Sequence, residues 1–224
     1  MALATFQDLC IDAVDHRRMA TFWAGVLGLR VDEGDEDGVR LVGPTRQHTV
    51  YVNRVPEPVT VKQRVHLDVH AAAVDDVLAL GATPADLDSF RWKLLRDPEG
   101  GELCVFEREA VPDYRLYEIV IDCADAFATA RWWAEVLGGR LDEEDEWAAV
   151  EDIPGAPFEC LVFVPVPEPK TVKNRVHWDV TVPDLEALVA AGARVVRERD
   201  DEIRWTVMAD PEGNEFCAFA PAAG

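Results

Sequence analysis

No stretch of this sequence approaches the roughly 18 consecutive apolar residues of a membrane-crossing helix, so no membrane span is expected. The start, Met1 to Asp12, lacks the basic and apolar regions of a signal peptide, which sets a cytoplasmic location as the expectation. Cysteine is sparse: Cys10, Cys104, Cys123, Cys160 and Cys217 are odd in number and scattered through apolar runs. That pattern argues against a disulfide framework, and the lack of any C-x-x-C pair argues against a structural zinc site. Positive charge is scarce too. Lys and Arg number 22 against 43 Asp and Glu, a formal net charge of −21. Such a field repels nucleic acid and anionic membranes and attracts cations, small cationic molecules included. The sequence contains no Gly-x-Ser-x-Gly elbow, phosphate loop or dinucleotide fingerprint. The acidic runs at 32–37 and 142–146 lack the ligand spacing of a calcium loop and read as solvated turns.

What is present is a folded-protein composition, 49% hydrophobic and 29% charged, and a long internal repeat. Phe22-Trp23-Ala24-Gly25-Val26-Leu27-Gly28 returns 110 residues later as Trp132-Trp133-Ala134-Glu135-Val136-Leu137-Gly138. Val55-Pro56-Glu57-Pro58 and Arg64-Val65-His66-Leu67-Asp68-Val69 return as Val166-Pro167-Glu168-Pro169 and Arg175-Val176-His177-Trp178-Asp179-Val180. Asp97-Pro98-Glu99-Gly100 returns as Asp210-Pro211-Glu212-Gly213. A nearly constant shift means a duplicated unit with small loop insertions. Its copies are expected at 1–110 and 113–222, with Pro112 between them.

The local pattern is the same in both copies. Residues 5–12 and 115–122 are short, apolar and rich in β-formers, which predicts strands. Met19, Phe22, Trp23, Val26 and Leu27 recur at helical spacing, predicting helices at 16–27 and 126–137 that stop at Gly28 and Gly138. Trp23 and Trp133 belong to that core face. Further strands are expected near 39–42, 47–54, 148–151 and 158–165. The proline-rich linkers follow. A second cycle runs from strands 64–70 and 175–181 through helices 73–80 and 184–191. Strands near 91–96, 102–107, 203–208 and 215–219 complete it, with Asp-Pro-Glu-Gly as the turn between the last two. Each copy thus holds two β-α-β-β-β units, an α+β chain of four.

Four such units resemble the vicinal oxygen chelate superfamily. The residues that carry the likeness are an aromatic pair before Val-Leu-Gly on the first helix, Arg-Val-His-x-Asp-Val opening the second unit, and Asp-Pro-Glu-Gly before the last strand. That superfamily includes glyoxalases, extradiol dioxygenases and bleomycin-resistance proteins, and the likeness is strongest to its glyoxalase-like domains. It implies two glyoxalase-like domains with curved mixed sheets around clefts. In metal-using relatives it implies three ligands, carried over here to Asp8 and Glu118, Arg64 and Arg175, and Cys104 and Cys217. Arginine stays protonated and cannot ligate a cation, so this triad is lost in both copies. A shift of two residues keeps the strand face and brings in His66 and Asp68, or His177 and Asp179. A metal held by His66 with Asp8 or Asp12 is then chemically open.

The residues expected to line the clefts are Asp8, Asp12, Tyr51, Arg64, His66, Asp68 and Trp92 in copy one. In copy two they are Glu118, Asp122, Phe163, Arg175, His177, Asp179 and Trp205, with Trp178 as a further ring beside His177. His66 and His177 are the candidate acid/base residues. The reading that follows is a metal-free binding protein with no cofactor, sequestering a cationic or aromatic small molecule. It needs no nucleic-acid or membrane partner and is a monomer with an internal pseudo-dimer, or a homodimer. The alternatives are a lyase, isomerase or dioxygenase using a divalent metal or histidine acid/base chemistry, and a degenerate scaffold for protein interaction.

Overall fold

The computed structural model describes residues 2–32, 34 and 36–221. Glu33 and Asp35 of the first acidic run lie outside the described residues. The first unit of copy one runs β1 (Thr5–Ala13), α1 (His16–Leu27), β2 (Arg30–Val31), β3 (Gly38–Val42) and β4 (Val50–Arg54). Its second unit runs β5 (Val65–Ala71), α2 (Val74–Ala79), β6 (Thr83–Asp86), β7 (Lys93–Arg96) and β8 (Glu102–Glu107). Copy two repeats this with β9 (Leu116–Cys123), α3 (Ala126–Leu137), β10 (Arg140–Glu143), β11 (Ala148–Glu151) and β12 (Cys160–Pro165). Its second unit is β13 (Val176–Thr181), α4 (Leu185–Ala190), β14 (Arg194–Arg197), β15 (Thr206–Ala209) and β16 (Glu215–Phe219). The short strands β2, β6, β10 and β14 complete the β-α-β-β-β units, but the sequence pattern does not locate them. They are two to four residues long and mostly exposed, so no apolar alternation marks them.

The strands form two eight-stranded mixed sheets, ordered β14-β15-β16-β13-β1-β4-β3-β2 and β10-β11-β12-β9-β5-β8-β7-β6. Neither closes into a barrel. Both sheets cut across the sequence copies: each joins the first unit of one copy to the second unit of the other. The seams are the antiparallel pairs β1–β13 and β5–β9. One apolar core runs beneath both sheets and takes in the buried faces of α1 and α3, with Trp23 and Trp133 inside it.

Reciprocal contacts hold the copies together. The Leu3 and Ala4 amides donate to Val136 O at the end of α3, both at 2.9 Å, and the Arg115 amide donates to Leu27 O at the end of α1 at 3.0 Å. Gly28 ends α1 at φ +72°, and a Cβ there would lie 2.0 Å from Asp113 O. Glycine is therefore required for conformation and for space. The Asp-Pro-Glu-Gly turns tie together the two units of a single copy, which lie in different sheets. Asp97 Oδ1 accepts from the Glu99 and Gly101 amides, which leaves the Glu99 carboxylate to accept from the Val14 and Asp15 amides at the start of α1. Glu212 does the same for Ala124 and Asp125 before α3.

Candidate functional site

Side chains alternate along a strand, so one face of β1 carries Leu9 and Ile11 into the core while the other carries Asp8, Cys10 and Asp12. β13 lies antiparallel beside it, with Asp8 opposite Asp179 and Cys10 opposite His177. On the far side of β1, Cys10 pairs with Tyr51 of β4. β13 also pairs Asp179 with Cys217 of β16. The register of β1 on β13 slips between Phe6 and Asp8, a bulge that brings Gln7 into the same cleft. Together these strands floor a cavity of about 670 Å³, walled by Trp205 and Phe219, whose rings lie 5.4 Å apart.

The floor is buried and polar. Asp8 and Asp179 hydrogen-bond to one another, and desolvation raises both carboxyls, so the pair holds a proton well above the ordinary carboxylate range. The Cys10 thiol donates to Asp179 Oδ1 at 3.6 Å, and Cys217 also hydrogen-bonds this carboxyl. Burial raises the pKa of both thiols. Burial, then the charge of Lys173, lowers His177 from 6.5 to about 4, so its imidazole is neutral at pH 7. Gln7 donates to Asp8 at 3.3 Å and accepts from the Thr181 hydroxyl at 2.8 Å. At the rim Lys173 pairs with Asp12.

The equivalent face of the other sheet has diverged. His66 lies 3.3 Å from Asp68, and Cys104 is close to both. Glu118, raised by desolvation, stands opposite Asp68 where the first cleft has Asp8. Val120 and Val162 take the places of Cys10 and Tyr51, and Val164 and Pro165 those of Asn53 and Arg54. At the bulge Tyr117 replaces Gln7. Its ring packs 5.1 Å from Phe106 and 4.6 Å from His70, and the Arg108 guanidinium lies over it at 5.2 Å. Trp92 continues the stack between Phe90 and Phe106. Trp92 and Phe106 match Trp205 and Phe219 of the first cleft, so the divergence lies in Tyr117 and His70, which stand where the first cleft has Gln7 and Thr181.

The expected lining residues divide between these two faces. Asp8, Asp12, Tyr51, His177, Asp179 and Trp205 meet in the first; His66, Asp68, Trp92, Glu118 and Asp122 belong to the second. His66 therefore does not meet Asp8 or Asp12. The cause is the crossed pairing, which seats β1 beside β13 and not beside β5. Asp122 is held by Lys62 at 2.5 Å. Phe163 lies in the apolar core and not on a cleft wall: it pairs with Ile121, and both point away from the Glu118 face. Trp178 is likewise in the core, its ring 4.8 Å from that of Trp133, because it alternates with His177 and Asp179. Residues that the sequence reading left out are Gln7, placed by the bulge, and Arg46, Arg54 and Lys173, which reach the rim from loops or a strand end.

Arg64 and Arg175 are half-buried and paired, but away from the cleft floor. Arg64 Nη1 donates to Glu168 O at 2.6 Å. Arg175 Nη1 donates to Glu57 O, and its Nη2 lies 3.1 Å from the Glu99 carboxylate. Each arginine thus grips the proline-rich linker of the other copy. A second cavity, about 480 Å³, lies between those linkers. The triad carried over from metal-using relatives is therefore not assembled: its arginines are cationic and engaged elsewhere. Different trios are gathered instead, Cys10, His177 and Asp179 on the first face and His66, Asp68 and Cys104 on the second, each with one potential donor atom per residue within 4.8 Å of the others.

A glyoxalase-like domain model matches the chain twice, at residues 8–106 and 118–219. A search of curated proteins finds no significant match. Among solved structures, the chain is similar to glyoxalase I from Zea mays, with a TM-score of 0.68 and 14% identity over 96% of this chain and 92% of that one. It is also similar to the cppA protein from Streptococcus pneumoniae, with a TM-score of 0.55 and 11% identity over 97% and 100%. At such identities the likeness is one of fold. The two sequence matches cover both copies of the repeat, and with them this chain belongs to the glyoxalase-like domain family of the vicinal oxygen chelate superfamily.

Proposed function

We propose that this chain is a metal-free small-molecule binding protein of the glyoxalase and bleomycin-resistance type, which sequesters its ligand in the first cleft. The observation that carries this reading is a floor whose Asp179 carboxyl is engaged by its neighbours, while Asp8 Oδ1 and His177 Nδ1 stand buried without a partner among the described residues, for a ligand to meet. Asp179 accepts from two thiols and shares a proton with Asp8, so neither carboxyl nor thiol is poised as a free anionic ligand. The cavity volume falls within the roughly 300–1,000 Å³ of small-molecule pockets, and its aromatic wall suits a ring-bearing ligand.

A second reading, a lyase, isomerase or dioxygenase, draws on the closeness of Cys10, His177 and Asp179. Thiol, imidazole and carboxylate are donors that a zinc-like ion accepts. Elemental analysis of the purified protein separates the two. The binding-protein reading expects no stoichiometric Mn, Fe, Ni or Zn. One equivalent of such a metal, lost in His177→Ala, would overturn it.

A further inference from the structure

We infer that the ligand of the first cleft is an aromatic or apolar molecule bearing an acidic group, which Arg46 and Arg54 receive while its ring lies against Trp205. This rests on the reading of the cleft as a small-molecule site. It reverses the expectation drawn from net charge. Over the whole chain acids outnumber bases 43 to 22. Around this cavity the balance is even: the bases Arg46, Arg54, Lys173 and Arg197 face the carboxyls Asp12, Asp179 and Glu215, with Asp8 beside Asp179. Screening confines an exposed charge to about 10 Å at 0.1 M salt, so a ligand inside the cleft feels these local groups more than the distant acidic surface.

The cleft's own pairings decide which charges remain. Lys173 is taken by Asp12, and Arg197 by Asp200 and Glu202. Glu215 is held by Lys170 at 2.7 Å. Asp179 is paired with Asp8 and two thiols. Among the described residues, the guanidinium groups of Arg46 and Arg54 make no hydrogen bond or ion pair. Arg46 stands near enough to Asp8 for its charge to be felt there. Two planar forks with five N–H donors each are therefore left at the rim, and such a fork matches a carboxylate bidentately.

The comparison of the two faces supports the same assignment. Arg54 lies opposite Ala13, and the register-equivalent position opposite Cys123 is Pro165. Tyr51 is matched by Val162. Arg54 and Tyr51, which line the first cavity, thus have no counterpart of like chemistry on the second face, where Tyr117 also replaces Gln7.

Three ring-matched probes test this by isothermal titration calorimetry: 1-naphthoate, 1-naphthalenemethanol and 1-naphthylmethylammonium. The expectation is that naphthoate binds about tenfold more tightly than the ammonium. In R46Q/R54Q that preference should disappear while the alcohol binds as before. Both arginines are exposed, so the double variant keeps its fold, which circular dichroism checks. Equal binding of all three probes, or a preference for the ammonium, overturns the acid assignment but leaves the cleft a binding site. A naphthoate preference that survives R46Q/R54Q overturns it as well. Failure of all three probes to bind overturns both this inference and the binding-protein reading.

Discussion

Replacing His177 with glutamine should flatten the acid limb of the stability curve. In the folded chain His177 is buried, and desolvation followed by the Lys173 charge lowers its pKa from 6.5 to about 4. As the pH falls through that window, the unfolded chain takes up a proton and the folded chain does not. The stability present above pH 6.5 is therefore lost as the pH approaches 4. At about 1.36 kcal/mol per pH unit, the gap between 6.5 and 4 is worth roughly 3 kcal/mol, of which about 2.5 is lost by pH 4.5. Urea unfolding at pH 7 and pH 4.5, on wild type and His177→Gln, isolates this contribution, because any pH-independent cost of the substitution cancels in the difference. Wild type should lose about 2.5 kcal/mol more than the variant. Equal losses would show that the imidazole is solvated and that the cleft floor is not the dry, neutral surface described here.

The carboxyl pair should behave with the opposite sign. Above about pH 4 the unfolded chain gives up a proton that the folded pair keeps, so stability falls as the pH rises from there towards the raised folded pKa, and Asp8→Asn should lose less stability than wild type between pH 5 and 8. Denaturant titration across that range checks it. Arg175→Ala should cost about 2 kcal/mol in urea unfolding, since it removes a half-buried guanidinium from Glu57 O and leaves Glu99 short of a partner. Arg64→Ala should cost less, because Arg64 grips a carbonyl without a matching carboxylate pair. Trp133→Phe should cost about 2 kcal/mol, as buried Asp210 loses its 3.0 Å indole donor.

The repeat, the four units, the two amphipathic helices and the core tryptophans are legible in the sequence because each depends on local periodicity. The pairing of β1 with β13 is not. Two copies with the same apolar pattern satisfy the core equally well whether units pair within a copy or across copies, so nothing local tells Asp8 that it faces Asp179 of β13 and not Asp68 of β5. The misplaced rings are a different matter. Phe163 alternates with Val162 and Val164, and Trp178 sits between His177 and Asp179, so strict period-two phasing already assigns both rings to the core. Gln7 and Tyr117 escape that logic, because a bulge adds a residue to the strand and breaks the alternation where they stand. Arg46 and Arg54 escape it as well, being at a turn and a strand end where no periodicity operates.

The first cleft is the proposed binding site, and the second differs from it by the Tyr117 ring packed on Phe106 and His70. Titration of 1-naphthoate into wild type, Trp205→Ala and Trp92→Ala tests it most directly. One site per chain is expected, lost or weakened at least tenfold in Trp205→Ala and retained in Trp92→Ala. Two equivalent sites in wild type, or loss of binding in Trp92→Ala with Trp205→Ala unaffected, would contradict it.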